Sequence, residues 1–124
     1  MTWTYEQRTG RLLHDGTPVA TGYAGHGAGY NNPVEQGTKN IGPIPQGAWT
    51  IGAMRAAGGR MGPDVLPLEP APGTDPLGRD AFFIHGDLVD GPPRSASDGC
   101  TIMPHDVRER IVNSGDTDLQ VVTG

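Results

Sequence analysis

Thirty-two of the 124 residues are glycine or proline, 20 of one and 12 of the other, and that proportion sets the first limit on the fold. Glycine supplies backbone with positive φ, and proline fixes φ where a chain must reverse. Together they make about 26% of the chain, close to the level at which low complexity is suspected. No repeat or collagen-like period accompanies them. These residues therefore read as punctuation between many short strands, which predicts a mainly β fold with long Gly/Pro-rich loops and leaves no room for long helices. At 124 residues the chain is one domain's worth of protein, residues 1–124. Only 35% of it is hydrophobic, so the core must be small and built from Val, Ile, Leu and Ala.

Partner classes narrow next. The formal net charge is -5 and the nine basic side chains form no stripe or run, which disfavours nucleic-acid binding. The run Ala81-Phe82-Phe83-Ile84 is far short of the roughly 20 residues that a membrane-spanning helix needs, so no membrane insertion is expected. Residues 1–8 lack the basic start and apolar run of a secretory signal; the expectation is synthesis in the cytoplasm, followed by retention or export by another route. The single cysteine, Cys100, excludes an intramolecular disulfide and a multi-Cys zinc site. Four scattered histidines offer no metal-ligand spacing, so no metal and no cofactor is expected, and His14 and His105 are assigned no chemistry.

Along the chain, Thr9-Gly10 and Asp15-Gly16 divide the stretch from Trp3 to Tyr23 into two hairpins. Residues 24–46 turn to Gly, Asn and Pro without apolar period, a long surface loop of the kind that often carries function. Ala48 to Gly52 reads as a strand with Trp49 and Ile51 on one face. Within the irregular stretch 58–78, Pro67 limits Val65-Leu66-Pro67-Leu68 to a sheet edge. Ala81 to His85 is the most strand-like run, covered on both faces. A Gly/Pro/Ser loop follows at 91–97. Pro104 then opens a short helix through Val107 and Ile111 that stops at Ser114-Gly115, and Leu119 to Val122 closes the chain as a strand.

Chemistry concentrates in Ile84-His85-Gly86-Asp87 and Ser97-Asp98-Gly99-Cys100, with fourteen residues between His85 and Cys100. A free thiol is only a few per cent ionised at neutral pH, so a nucleophilic cysteine needs an imidazole to take its proton. A strand followed by an excursion of this length can return beside its start. Gly99, lacking a Cβ, would let backbone N–H groups around Cys100 converge on a carbonyl oxygen, as an oxyanion hole demands. Ser97 and Asp98 would fix the turn by side-chain hydrogen bonds. The competing reading of Cys100 alone is a buried, inert thiol.

The chain resembles the L,D-transpeptidase catalytic domain, whose signature is a His-Gly element, a spacer of about this length, and Ser-x-Gly-Cys. It is most similar to the short L,D-transpeptidase-type effectors that bacteria deliver through type VI secretion systems. Trp3-x-Tyr5 with Thr9-Gly10, Gly22-Tyr23-Ala24-Gly25, Asn31-Asn32-Pro33, Asn40-Ile41-Gly42-Pro43-Ile44-Pro45-x-Gly47, Gly78-Arg79, Phe83-Ile84-His85-Gly86-Asp87 and Ser97-x-Gly99-Cys100 occur in the order such effectors show. The resemblance implies a β-sandwich or partial barrel with one short C-terminal helix. It implies that Cys100 attacks the carbonyl of diaminopimelate in the peptidoglycan stem, with His85 as base. Release of D-Ala leaves a thioester; water then completes an L,D-carboxypeptidase reaction, and an amine completes a transpeptidation. Delivery to a target cell's periplasm by secretion machinery, and a cognate immunity protein, are implied partners.

Two departures from the broader pattern stand out. The residue before Gly99, often histidine in cell-wall-building members, is Asp98 here, and an acid beside the thiol does not lower its pKa. The arginine that many members carry shortly after the cysteine is absent from Thr101-Ile102-Met103. Arg79 is the substitute candidate for the substrate carboxylate, against an ordinary surface ion pair with Asp80 or another acid. His26 is a candidate cleft residue, and Asp87 either orients His85 or, with Gly86, forms the turn after the strand. The rival function is a non-catalytic cell-wall or partner-binding module of the same fold. A papain-like peptidase is opposed by order, because there the cysteine precedes the histidine.

Overall fold

The computed structural model describes residues 2–87 and 97–124; most of the loop read at 91–97 lies outside them. Two reversals come where the sequence places them. Strands β1 (Trp3–Glu6), β2 (Arg11–His14) and β3 (Thr17–Thr21) form two successive antiparallel hairpins, with Gly10, Asp15 and Gly16 at positive φ in the turns. β4 (Tyr23–Ala24) leads into the Gly/Asn/Pro loop, which contains two short 3-10 turns. β5 (Gly47–Ile51), β6 (Arg55–Ala57), β7 (Pro63–Pro70), β8 (Phe82–His85), β9 (Thr101–Ile102), helix α1 (His105–Ser114) and β10 (Asp118–Val122) complete the order.

The strands hydrogen-bond in the order β3-β2-β1-β10-β5-β7-β8-β9-β4, with β6 attached to β7. The first and last members of that path, β3 and β4, are consecutive in the chain and joined through Gly22. The sheet thus curls almost into a barrel, as a mainly β partial barrel requires. Gly22 is the closing point: its amide donates to the Gly10 carbonyl, and a Cβ there would stand 1.8 Å from the Ile102 carbonyl oxygen.

The core fills the inside of this curl. Trp3 and Tyr5, Leu12, Trp49 and Ile51, Leu66 and Leu68, Phe82 and Ile84, and Leu119 and Val121 alternate inward along their strands, and Trp49 meets Phe82 edge-on at 5.2 Å. Helix α1 adds Val107 and Ile111, four residues apart on one face, and ends at Gly115 in the left-handed conformation.

One expectation is corrected. Val65-Leu66-Pro67-Leu68 is not an edge: β7 lies between β5 and β8. Proline is tolerated because β5 pairs with β7 only as far as Leu68 while β6 pairs with it from Val65 onward. The missing Pro67 N–H faces the gap between the two, where its carbonyl accepts the Gly52 amide. The interior strand carries a local edge, which a single-residue rule does not foresee.

Candidate active site

Strands β8 and β9 run parallel, with Ile84 opposite Thr101 and His85 opposite Ile102. Cys100 is the residue immediately before β9, one step back along this register. Adjacent strands lie about 4.8 Å apart and two residues advance about 6.6 Å, so the Cα atoms of His85 and Cys100 are separated by roughly 8 Å. Cys100 is half-buried and His85 is buried. The sequence separation of fourteen residues is thus folded into neighbouring strand ends.

The turn ahead of Cys100 is bolted by one serine. The Ser97 hydroxyl is fully buried; it accepts the Gly25 amide at 2.8 Å and the Gly99 amide at 3.0 Å and donates to the Cys100 carbonyl at 2.6 Å. Every hydrogen-bonding capacity of that oxygen is used. Because the Gly99 amide is committed to Ser97, the need for glycine here is conformational. Its φ is +139°, and a Cβ would stand 2.3 Å from Arg79 Nη2 and 3.0 Å from both the Gly42 carbonyl oxygen and the Phe82 ring. Asp98 points outward, its side chain 77% exposed.

Arg79 is buried, and its terminal nitrogens are spent on the chain's own backbone. Nη1 donates to the carbonyls of Gln36 and Pro43, and Nη2 to those of Gly42 and Asp98; the guanidinium also lies 4.9 Å from the Phe82 ring centre. It knots the Asn/Pro loop to the cysteine turn, and among the described residues it is in no surface ion pair. His26, from the Gly-rich loop, donates its Nδ1 hydrogen to the Ser97 carbonyl at 2.8 Å and has Asp98 3.5 Å away. A carbonyl accepts only, so that ring nitrogen carries the proton.

The same logic fixes His85. Its Nδ1 lies 2.9 Å from the Gly86 carbonyl oxygen, so Nδ1 holds the hydrogen and Nε2 holds the lone pair. Burial lowers the His85 pKa below its ordinary 6.5, and the nearby Arg108 charge pushes the same way, against the Gly86 carbonyl, Asp87 and Asp98. The imidazole is a neutral base at pH 7. Asp87 accepts from the Tyr23 hydroxyl at 2.7 Å, which ties the turn after β8 to β4, and Tyr23 packs on Tyr30.

Burial pushes the Cys100 thiol up to about 11; the Phe83 amide and Arg79 oppose that rise, and Asp98 adds to it. The sulfur sits 3.6 Å from the Ala81 carbonyl oxygen. With a pKa of about 11 only about one thiol in ten thousand is ionised at pH 7, so any attack by this sulfur needs a base at the moment of reaction.

The stretch of chain that holds these residues falls within a known family's pattern. The sequence pattern of the Tlde1 domain matches residues 18–123. The chain belongs to the Tlde1 domain family. This is the family of type VI secretion L,D-transpeptidase effectors, whose activity is peptidoglycan modification. No curated protein matches the chain. Within this Tlde1 domain, β1 and β2 precede the matched span, yet they supply the wall of the barrel that β10 pairs with.

Sequence reasoning passed over Arg108. It sits on α1 three residues before Ile111, on the helix's buried stripe, where its Nη1 donates to the Pro63 and Asp64 carbonyls and its Nη2 lies 2.9 Å from where a Cβ on Gly86 would stand. An arginine on the apolar face of an amphipathic helix is the signal that was legible. Among the described residues, no helix is long and apolar enough to cross a membrane.

Proposed function

We propose that this Tlde1 domain is a cysteine L,D-carboxypeptidase, and a transpeptidase when an amine replaces water, acting on the stem tetrapeptide between diaminopimelate and D-Ala. The observation that supports the reading is that His85 and Cys100 lie on neighbouring parallel strands, their Cα atoms about 8 Å apart by strand geometry, with His85 Nδ1 turned to the Gly86 carbonyl and Nε2 therefore unprotonated.

In this mechanism His85 Nε2 removes the Cys100 proton as sulfur attacks the diaminopimelate carbonyl carbon. The tetrahedral intermediate collapses when His85 returns that proton to the D-Ala nitrogen, breaking the C–N bond and leaving a thioester. Water, deprotonated by His85, hydrolyses it; an amine yields the exchanged or cross-linked stem. Ser97 and Arg79 hold the cysteine turn, Gly99 lets it pass beneath Arg79, and Gly86 sets the tautomer of His85. Asp98 acts on the sulfur and Asp87 on His85, while His26 holds the Ser97 carbonyl. Membership of the effector family supports delivery of this domain into a target cell's periplasm by secretion machinery, and its neutralisation by a cognate immunity protein.

The raised thiol pKa favours a second reading, a wall-binding module with an inert cysteine. Mass spectrometry of muropeptides separates the two. Wild-type protein should release D-Ala from disaccharide tetrapeptide, and Cys100→Ala should not. Binding to muropeptides without any mass change in the wild type would establish the module.

A further inference from the structure

Away from β8 and β9 in the strand order, two consecutive side chains of the N-terminal hairpin meet a third from near the end of the chain. His14 ends β2, Asp15 follows it in the turn, and Asp116 lies in the link from α1 to β10. His14 Nε2 is 2.9 Å from Asp116 Oδ2 and 4.0 Å from Asp15 Oδ2, and the three ligand atoms lie within 4.8 Å of one another. From these residues we infer a binding site for a first-row transition cation, Zn2+ foremost, that staples the N-terminal hairpin to the end of the helix.

Four observations point to a cation. The Asp116 side chain is only 4% exposed, and its ion-pairing partner among the described residues is an imidazole, with no Lys or Arg. A buried carboxylate is costly unless positive charge stands beside it, and a metal cation supplies that charge. Both carboxylates have one oxygen held by a backbone amide, Asp15 Oδ1 by Thr2 and Asp116 Oδ1 by Asp118, so each presents its other oxygen to His14, as outer-shell bonds do in metal centres. The imidazole is itself held, stacked on Trp3 at 4.0 Å and 12°.

Size and chemistry select the ion. Tetrahedral zinc with bonds of about 2.1 Å separates its ligand atoms by about 3.4 Å. The 2.9 Å and 4.0 Å separations bracket that value, and Asp15, half exposed, can move to close the tripod. One imidazole nitrogen and two carboxylate oxygens, with water in the fourth position, suit Zn2+ or Co2+. Ca2+ wants six to eight oxygens, and Mg2+ keeps most of its waters.

The test uses the full chain and the metals alone. Chelator-treated wild type should gain about 5 °C or more in Tm with excess Zn2+ and nothing with equimolar Mg2+ or Ca2+. Asp15→Asn keeps the acceptor for the Thr2 amide and should fold normally, yet lose at least about tenfold in Zn2+ affinity; His14→Gln should lose more. Cobalt(II) should give a visible spectrum without a thiolate band, and that spectrum should persist in Cys100→Ser. No Tm gain with Zn2+, an equal gain in Asp15→Asn, or a cobalt spectrum that disappears with Cys100 would each overturn the site.

Discussion

Arg79 occupies the space that a side chain at residue 99 would need. Its Nη2 lies 2.3 Å from where a Cβ on Gly99 would stand, and the Gly99 backbone has φ +139° besides. Either the guanidinium leaves its carbonyls or the turn shifts, and both displace Cys100. Gly99→Ala should therefore abolish D-Ala release and lower stability by about 3 kcal/mol or more, read by urea unfolding beside the muropeptide assay. Arg79→Met leaves the turn its shape but strips donors from buried carbonyls. It should cost a comparable amount.

Ser97 is the second fastening. Ser97→Ala deletes one hydroxyl and strands the Gly25 and Gly99 amides and the Cys100 carbonyl together. A loss of about 2–4 kcal/mol in urea unfolding is expected, with a fall in activity at temperatures where the variant is still folded. Unchanged activity in a folded Ser97→Ala protein would mean that the turn holds Cys100 without this oxygen.

Much of this architecture could be read from local chemistry. Gly10, Gly16 and Gly115 sit at positive φ where the sequence asked for reversals or a helix stop, and Trp49 with Ile51, and Val107 with Ile111, share buried faces as their spacing demands. What escaped was long-range. β4 and β9 are two residues each, too short for any alternation, and exist because they pair with each other. Pro67 misled because its local edge depends on where β5 ends and β6 begins. Arg79 was read through its charge, whereas its role follows from four carbonyls on three other segments. His14 and Asp116, 102 positions apart, meet only through the β1–β10 pairing. An ordered motif singled out His85 and Cys100, and the β8–β9 register sets them on neighbouring strands.

Stability should fall at both ends of the pH range, for separable reasons. His85 has a folded pKa depressed below 6.5, so its contribution is present above 6.5 and is lost as pH falls through the folded value. Cys100 has a folded pKa raised from 9.0 to about 11, so its contribution is complete below 9.0 and is lost as pH rises through about 11. The buried Tyr5 hydroxyl, raised by burial above its ordinary 10, adds to the alkaline loss. Urea midpoints at pH 5, 7.5 and 10.5 should form a dome. Cys100→Ser should flatten the alkaline side in part and leave the acid side unchanged.

The reactivity of the thiol tests its electrostatics without any substrate. Burial is the first cause of the high pKa, and the Asp98 carboxylate adds to it, while Arg79 pulls the other way. Iodoacetamide alkylation of the wild type should therefore be slow at pH 7 and still rising at pH 10, with no plateau in the neutral range where an activated thiolate would show one. Asp98→Asn removes the acid and should speed alkylation at pH 8. The gain should stay below about tenfold, because a side chain 77% exposed acts through a largely aqueous, salt-screened path. Raising the salt concentration should shrink the difference between Asp98→Asn and wild type, since only the charge effect is screened and the burial effect is not. A low-pH plateau in the wild-type profile would show instead that thiol and imidazole exist as an ion pair before substrate arrives, and that His85 has already taken the proton.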